Sequence, residues 1–280
     1  MHEDKQYYPE AEKVFGKGVE ALVMEEDAQP LDVPIIAPPK QANFQVYERD
    51  ALEPTYSMEF LGSMSAKADL TRSIAICGHL HNGKTLLCDM IVRQTHHAPA
   101  AHKGIWDLNR EYKWTDNRKD EVNRQISLKC SPLTVLMEDS REKSYLFNFM
   151  DTPGHPCFVD EVAAAMRLSD GVVILVDCIE GLTFYIERLI TQAVRERLPF
   201  VIVLNKLDRL VLELKLPPSD AYYKIKHTLD DINAVIQRLQ PIHQGKQEYI
   251  CPLKGNVIFA STLFSCCFTI ASFAQRYAKN

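Results

Sequence analysis

Residues Gly78-His79-Leu80-His81-Asn82-Gly83-Lys84-Thr85 fit the spacing G-x-x-x-x-G-K-[ST], a glycine-rich turn that wraps a chain of phosphates. Backbone N–H groups around His81, Asn82 and Gly83 converge on phosphate oxygens, and the following helix adds the positive end of its dipole. Lys84 then reaches the β and γ phosphates, while the Thr85 hydroxyl ligates Mg²⁺. A second set, Asp151-Thr152-Pro153-Gly154, supplies a carboxylate that holds Mg²⁺, usually through water. Gly154, having no Cβ, lets its N–H come close to the γ-phosphate. A third set, Asn205-Lys206-Leu207-Asp208, ends in a carboxylate that accepts two parallel hydrogen bonds from guanine N1–H and N2–H₂. Adenine does not present that edge. Farther along, Ser261-Thr262-Leu263 stands where a last strand and loop face guanine O6. The chemistry of these residues is the binding of GTP or GDP with Mg²⁺.

Such motifs act only at the carboxyl ends of strands, so the surrounding pattern must supply an α/β sheet. The pattern predicts strands near 73–77, 132–138, 145–150, 171–177, 200–205 and 256–260, and helices near 84–94, 156–168, 184–197, 219–239 and 265–279. Val172–Val176 and Phe200–Leu204 are continuous apolar runs, as central strands covered on both faces require. The expected fold is therefore a P-loop NTPase G domain, a mostly parallel sheet with helices on both faces, spanning 66–280 and carrying an insertion around 209–255. Residues 95–131 are polar and turn-rich, and a segment there suits a loop ordered by Mg²⁺ and the γ-phosphate.

Ahead of this domain the composition changes. The first 60 residues hold 13 acidic and 5 basic side chains, whereas the 280-residue chain as a whole has a net charge of −5. Six of the 15 prolines also fall there, and helical periodicity extends only over Ala11 to Met24. Residues 1–65 are accordingly expected to form an extended acidic arm. Its apolar residues, such as Val33, Ile35, Phe44 and Tyr56, suit an arm lying on another protein surface or packing back on its own domain. The eight cysteines contain no C-x-x-C pair, which argues against a zinc ribbon or redox motif. His96, His97 and His102 with Asp107 lack the helical register of a metal site. Trp106, Tyr112 and Trp114 alternate with basic residues, but the acidic balance and the lack of a long basic stripe oppose sequence-specific RNA binding.

The three motifs together resemble the G domain of translational GTPases of the elongation factor 2 class. Arg209 to Lys224 (RLVLELKLPPSDAYYK), His2 to Pro9 (HEDKQYYP) and Phe273 to Ala278 (FAQRYA) narrow this to a resemblance to the elongation-factor-like GTPases of the U5 small nuclear ribonucleoprotein. The resemblance covers essentially the whole chain. Family members are several times longer, so the chain resembles an N-terminal portion or a reduced version. The resemblance implies a nuclear, spliceosomal GTP-binding subunit. Its arm and G domain would be bound to the largest U5 scaffold protein and functionally linked to the helicase that unwinds U4/U6. It further implies that Ser127 takes the place of the translation factors' switch threonine as an Mg²⁺ ligand, and that His155 orients the attacking water. His81 replaces an aspartate of the translation factors, which implies slow or partner-dependent hydrolysis. A ribosomal turnover GTPase is the alternative that the arm, His81 and Pro217-Pro218 oppose. A scaffold holding GTP as a permanent structural ligand stays open.

Overall fold

The computed structural model describes residues 52–98, 112–139, 141–239 and 249–278, together with Lys13, Gly16 and Lys17. The chain divides into Met1–Phe44 and Gln45–Asn280, and the architecture below belongs to the second unit. Most of the expected arm, including all of the periodic stretch Ala11 to Met24 except Lys13, Gly16 and Lys17, lies outside the described residues, as do His102, Trp106 and Asp107.

Among the described residues one sheet of seven strands runs in the order β2-β3-β1-β4-β5-β6-β7. The strands are β1 (Thr71–Gly78), β2 (Ser131–Glu138), β3 (Ser144–Asp151), β4 (Gly171–Asp177), β5 (Phe200–Asn205), β6 (Val257–Ser261) and β7 (Cys266–Phe268). The five central strands are parallel, and β2 and β7 are antiparallel edges. The helices are α1 (Met58–Ser65), α2 (Lys84–Thr95), α3 (Lys119–Arg124), α4 (Val159–Leu168), α5 (Phe184–Arg195), α6 (Leu207–Leu212), α7 (Pro218–Leu239) and α8 (Ile270–Ala278).

Two apolar layers follow from the alternation of side chains along each strand. Ala75, Cys77, Val172, Ile174, Val176, Ile202 and Leu204 face the side covered by α4, α5 and α7. The intervening Ile76, Leu175 and Val203 face the side covered by α2, beside Cys88. Helix α5 meets the first layer with Ile186, Leu189, Ile190 and Ala193, each at most 1% exposed, and its start is capped by the Thr183 hydroxyl, which accepts from Ile186 N–H at 3.4 Å. Burying each of Ile186, Leu189 and Ile190 contributes about 1.5–3 kcal/mol. All the parallel strands thereby end on one rim, where the motifs lie.

Two expectations change. The helix expected over 265–279 is split: Cys266–Phe268 pairs antiparallel with β6, Phe268 stacks on Phe259 at 5.7 Å, and the helix begins only at Ile270. Reciprocal bonds between Thr269 and Ser272, 2.9 and 3.1 Å, cap that start. Residues 52–65, expected to be the extended end of the arm, contain helix α1 instead. Ser57 caps it, and Met64 is buried against Leu136 and Leu146 of the sheet edge.

Candidate functional site

The phosphate loop is built by close approach. A Cβ on Gly78 would stand 2.8 Å from the Leu175 carbonyl oxygen, so this glycine lets β1 lie tightly against β4. Gly83 has φ +90°, and a Cβ there would collide with the Asn205 amide. His81 is also left-handed, with φ 61°. Asn82 is buried, donating through Nδ2 to the Leu175 carbonyl at 2.9 Å and accepting on its own carbonyl from Asn205 Nδ2 at 2.7 Å. Lys84 is 6% exposed and donates to the His79 carbonyl at 2.9 Å. Burial pulls its pKa below the ordinary lysine value, against the opposing pull of the Asp151 carboxylate. A Cβ on Gly154 would press on Lys84 Nζ and stand 3.0 Å from the His79 carbonyl, so the two glycine-containing motifs touch here.

The base end comes from two strand ends, those of β5 and β6. Asn205 is fully buried and braces the loops rather than facing the cavity: its Nδ2 also donates to Thr262 Oγ1 at 3.0 Å, and its Oδ1 accepts from Thr262 N–H at 3.1 Å. Asp208 stands in the first turn of α6 and accepts from the Ser261 hydroxyl at 2.5 Å. Lys206 is left-handed, with φ 61°. A cavity of about 420 Å³ joins the two ends and is lined by Gly83, Lys84, Thr85 and Gly154 on one side and by Lys206, Asp208, Thr262 and Leu263 on the other. His81 and Ser127 also line it, while Asn82, Asp151, Asn205 and Ser261 stand behind the wall.

At the phosphate end the donors are hydroxyls and carboxylates. Asp151 Oδ2 accepts from Thr85 Oγ1 at 2.8 Å and from Thr115 Oγ1 at 2.6 Å. Its Oδ1 is buried and has no hydrogen-bond partner among the described residues. Burial pushes the Asp151 carboxyl up to about 6, opposed by the Thr115 hydrogen bond and the Lys84 charge. Ser127 Oγ lies 3.5 Å from Thr85 Oγ1 and donates to Asp116 Oδ1 at 2.7 Å. This all-oxygen set, with an unsatisfied carboxylate oxygen, fits a hard cation such as Mg²⁺. The volume and the glycine cradle fit a nucleoside triphosphate.

Several residues that hold this arrangement together have no motif. Asp89, in α2, is 1% exposed and accepts three backbone N–H groups, from Tyr112, Lys113 and Trp114, at 3.1, 2.7 and 3.0 Å. Glu121 accepts from Leu128 and Lys129 N–H at 2.9 and 3.1 Å, closing the segment that carries Ser127. Asp116 and Glu121 lie in a polar run that carries no periodic signal. Asp177 ends β4 with its side chain buried, pairing with Lys206 and Arg209. Burial raises its pKa, but the Ile179 N–H and the two cations outweigh this and hold the carboxyl below the usual range. Acidic residues at strand ends are the one available signal for it.

His155 is placed apart. Its Nδ1 accepts from Cys157 N–H at 3.2 Å and caps the turn Pro156–Phe158, and the residue does not line the cavity. Among the described residues no group of three or more His, Cys, Asp or Glu side chains is placed to hold a metal. No described helix is long and apolar enough to cross a membrane.

A model of the elongation factor Tu GTP binding domain matches residues 69–273. A model of the N-terminus of the 116 kDa U5 small nuclear ribonucleoprotein component matches residues 1–52. A 110 kDa U5 small nuclear ribonucleoprotein component of Arabidopsis thaliana is 48% identical over 280 residues, covering 100% of this chain and 28% of the relative. A pre-mRNA-splicing factor of Schizosaccharomyces pombe is 43% identical over 277 residues, covering 99% of this chain and 27% of the relative. One of Saccharomyces cerevisiae is 34% identical over 274 residues, covering 95% and 26%. The chain thus spans little more than a quarter of the length of these relatives.

Proposed function

The chain belongs to the elongation factor Tu GTP-binding domain family, and from that premise we propose that it holds a guanine nucleotide with Mg²⁺ as the GTP-binding part of a spliceosomal U5 subunit. The observation that carries this reading is the single cavity running from Lys84 and Thr85 to Asp208 and Thr262. The phosphates would rest on the N–H groups of His81 to Thr85 and Gly154 and on the Lys84 ammonium, all near the start of α2. Thr85, Ser127 and Asp151 would hold Mg²⁺, with Asp116 behind Ser127. The metal, when bound, neutralises charge on the phosphate oxygens. Asp208 would accept guanine N1–H and N2–H₂ while the Ser261 hydroxyl fixes its orientation. Lys206 would lie along the base, Thr262 and Leu263 would face O6, and Asn205 would keep the base loop and the phosphate loop in register.

The splicing role rests on the relatives, which are named as a U5 component and pre-mRNA-splicing factors and align along almost all of this chain. In that particle, a nuclear one, the arm and this domain bind the largest U5 scaffold protein and influence the helicase that unwinds U4/U6. Nucleotide would order residues 112–131, which are tied to α2 and to Asp151, and so shape an interface. Hydrolysis would be slow or dependent on that partner, as His81 in place of the translation factors' aspartate implies, and the His155 ring, which caps the Pro156–Phe158 turn, would have to turn to orient water.

Nucleotide titration tests the site. The unmodified chain should prefer GTP to ATP, and Asp208→Asn should exchange GTP for xanthosine triphosphate, whose C2 oxygen the amide complements. Equal affinity for GTP and ATP would overturn the assignment. Single-turnover hydrolysis with and without the scaffold protein, for the unmodified chain and His155→Ala, addresses turnover. Equal, near-zero rates throughout would leave GTP as a permanent structural ligand.

A further inference from the structure

Asp208, the carboxylate that would read guanine, has cations on both sides in sequence, Lys206 and Arg209, and all three residues face the same cavity. Yet among the described residues Asp208 takes no ion pair, and its hydrogen-bond partner is the Ser261 hydroxyl. Both cations turn instead to the neighbouring strand. Lys206 Nζ lies 3.0 Å and Arg209 Nη1 2.8 Å from Asp177 Oδ2. Asp177 is 0% exposed, and its Oδ1 accepts from Ile179 N–H at 2.8 Å, so both carboxylate oxygens are committed. Strand pairing fixes the spacing, because Asp177 lies opposite Asn205 in the β4–β5 register. The far side of the Arg209 guanidinium is held by Glu213, 2.8 Å from Nε.

We propose that Asp177 is a specificity-determining positioning residue, a buried anion that draws Lys206 and Arg209 off Asp208 and so leaves the Asp208 carboxylate open to guanine. The inference rests on the guanine site proposed above. A carboxylate engaged by a guanidinium spends its lone pairs on that partner and competes poorly for N1–H and N2–H₂. Without Asp177, Lys206 loses its anion and Arg209 keeps only Glu213 on its far side, and Asp208 is the carboxylate nearest to both cations in sequence. Lys206 makes this pair from a left-handed backbone conformation, φ 61°, that a lysine rarely adopts. Asp177 touches no base atom in this scheme; it acts on the base through the two cations it holds.

The test compares GTP with inosine triphosphate, whose base lacks the 2-amino group and so makes one bond fewer to Asp208. Equilibrium titration of the 280-residue chain measures both affinities for the unmodified protein, for Asp177→Asn and for Asp177→Ser. Either replacement, whichever folds by circular dichroism, carries the experiment. GTP affinity is expected to fall by about tenfold, with a smaller fall for inosine triphosphate, so that the ratio between them shrinks. Adding Arg209→Met to Asp177→Asn is expected to restore part of that ratio, because a freed cation is gone. Equal losses for both nucleotides, an unchanged ratio, or no recovery in the double variant would overturn the proposal. If the unmodified chain shows no preference for GTP over ATP, it is the guanine site itself that fails.

Discussion

Asp151 shows how one buried carboxyl would couple stability to a bound metal. Its pKa in the folded chain is raised to about 6 by burial, opposed by the Thr115 hydrogen bond and the Lys84 charge, whereas an unfolded aspartate titrates near about 4. The folded state therefore holds the proton more tightly. Without metal the stability contributed by this group is full below about pH 4 and is lost as pH rises through about 6. A divalent cation needs the deprotonated form, so it must displace that proton. Thermal melts with GTP, with and without Mg²⁺, should show a metal-dependent rise in Tm at pH 7.5 that shrinks below about pH 6. A metal effect independent of pH across that range would remove Asp151 from the site. Lys84, Thr85, Gly154 and Asp208 were legible as residues because each belongs to a motif with fixed spacing. Asp177 and Asp89 were not, because their partners are backbone and side-chain groups brought near by folding.

At the scale of elements, helix α2 does more than follow the glycine-rich loop. It carries Asp89, and three successive N–H groups at the head of the 112–131 segment converge on that carboxylate. Asp89→Ala leaves three donors without their acceptor and should cost about 2–4 kcal/mol, read from urea denaturation. Asp89→Asn, which keeps an oxygen acceptor, should cost less. Limited proteolysis of Asp89→Ala should cut first near Tyr112 to Trp114, and cleavage elsewhere would contradict the anchoring role. The parallel strands were legible because continuous apolar runs between turn residues leave few alternatives. Strand β7 was not, since three residues ending in Phe268 read equally well as a helix start. Only the ring of Phe259 across the gap and the Thr269–Ser272 cap decide the boundary.

For the molecule as a whole, the layer beneath α5 and α7 carries most of the packing that keeps the strand ends aligned. Ile186 is fully buried there. Ile186→Ala should destabilise the chain by about 2–5 kcal/mol through the lost methylenes and the cavity they leave. Because nucleotide binds only the folded form, saturating GTP should recover part of the loss in Tm by mass action. A melt unchanged by the substitution would show that this layer does not limit stability.

The sequence by itself pointed to a guanine-nucleotide motif set and to where the parallel strands lie along the chain, because phosphate and guanine recognition demand particular residue types at fixed spacing and buried parallel strands demand unbroken apolar runs. Tertiary structure alone decided which of those residues face the cavity and which stand behind it. Asn205 became a brace between loops and His155 a cap on the Pro156–Phe158 turn, while Asp177, Asp89 and Glu121 gained roles that no motif announces. A motif fixes neighbours along the chain, whereas these roles depend on distances between residues tens of positions apart, which only strand register and helix packing can set.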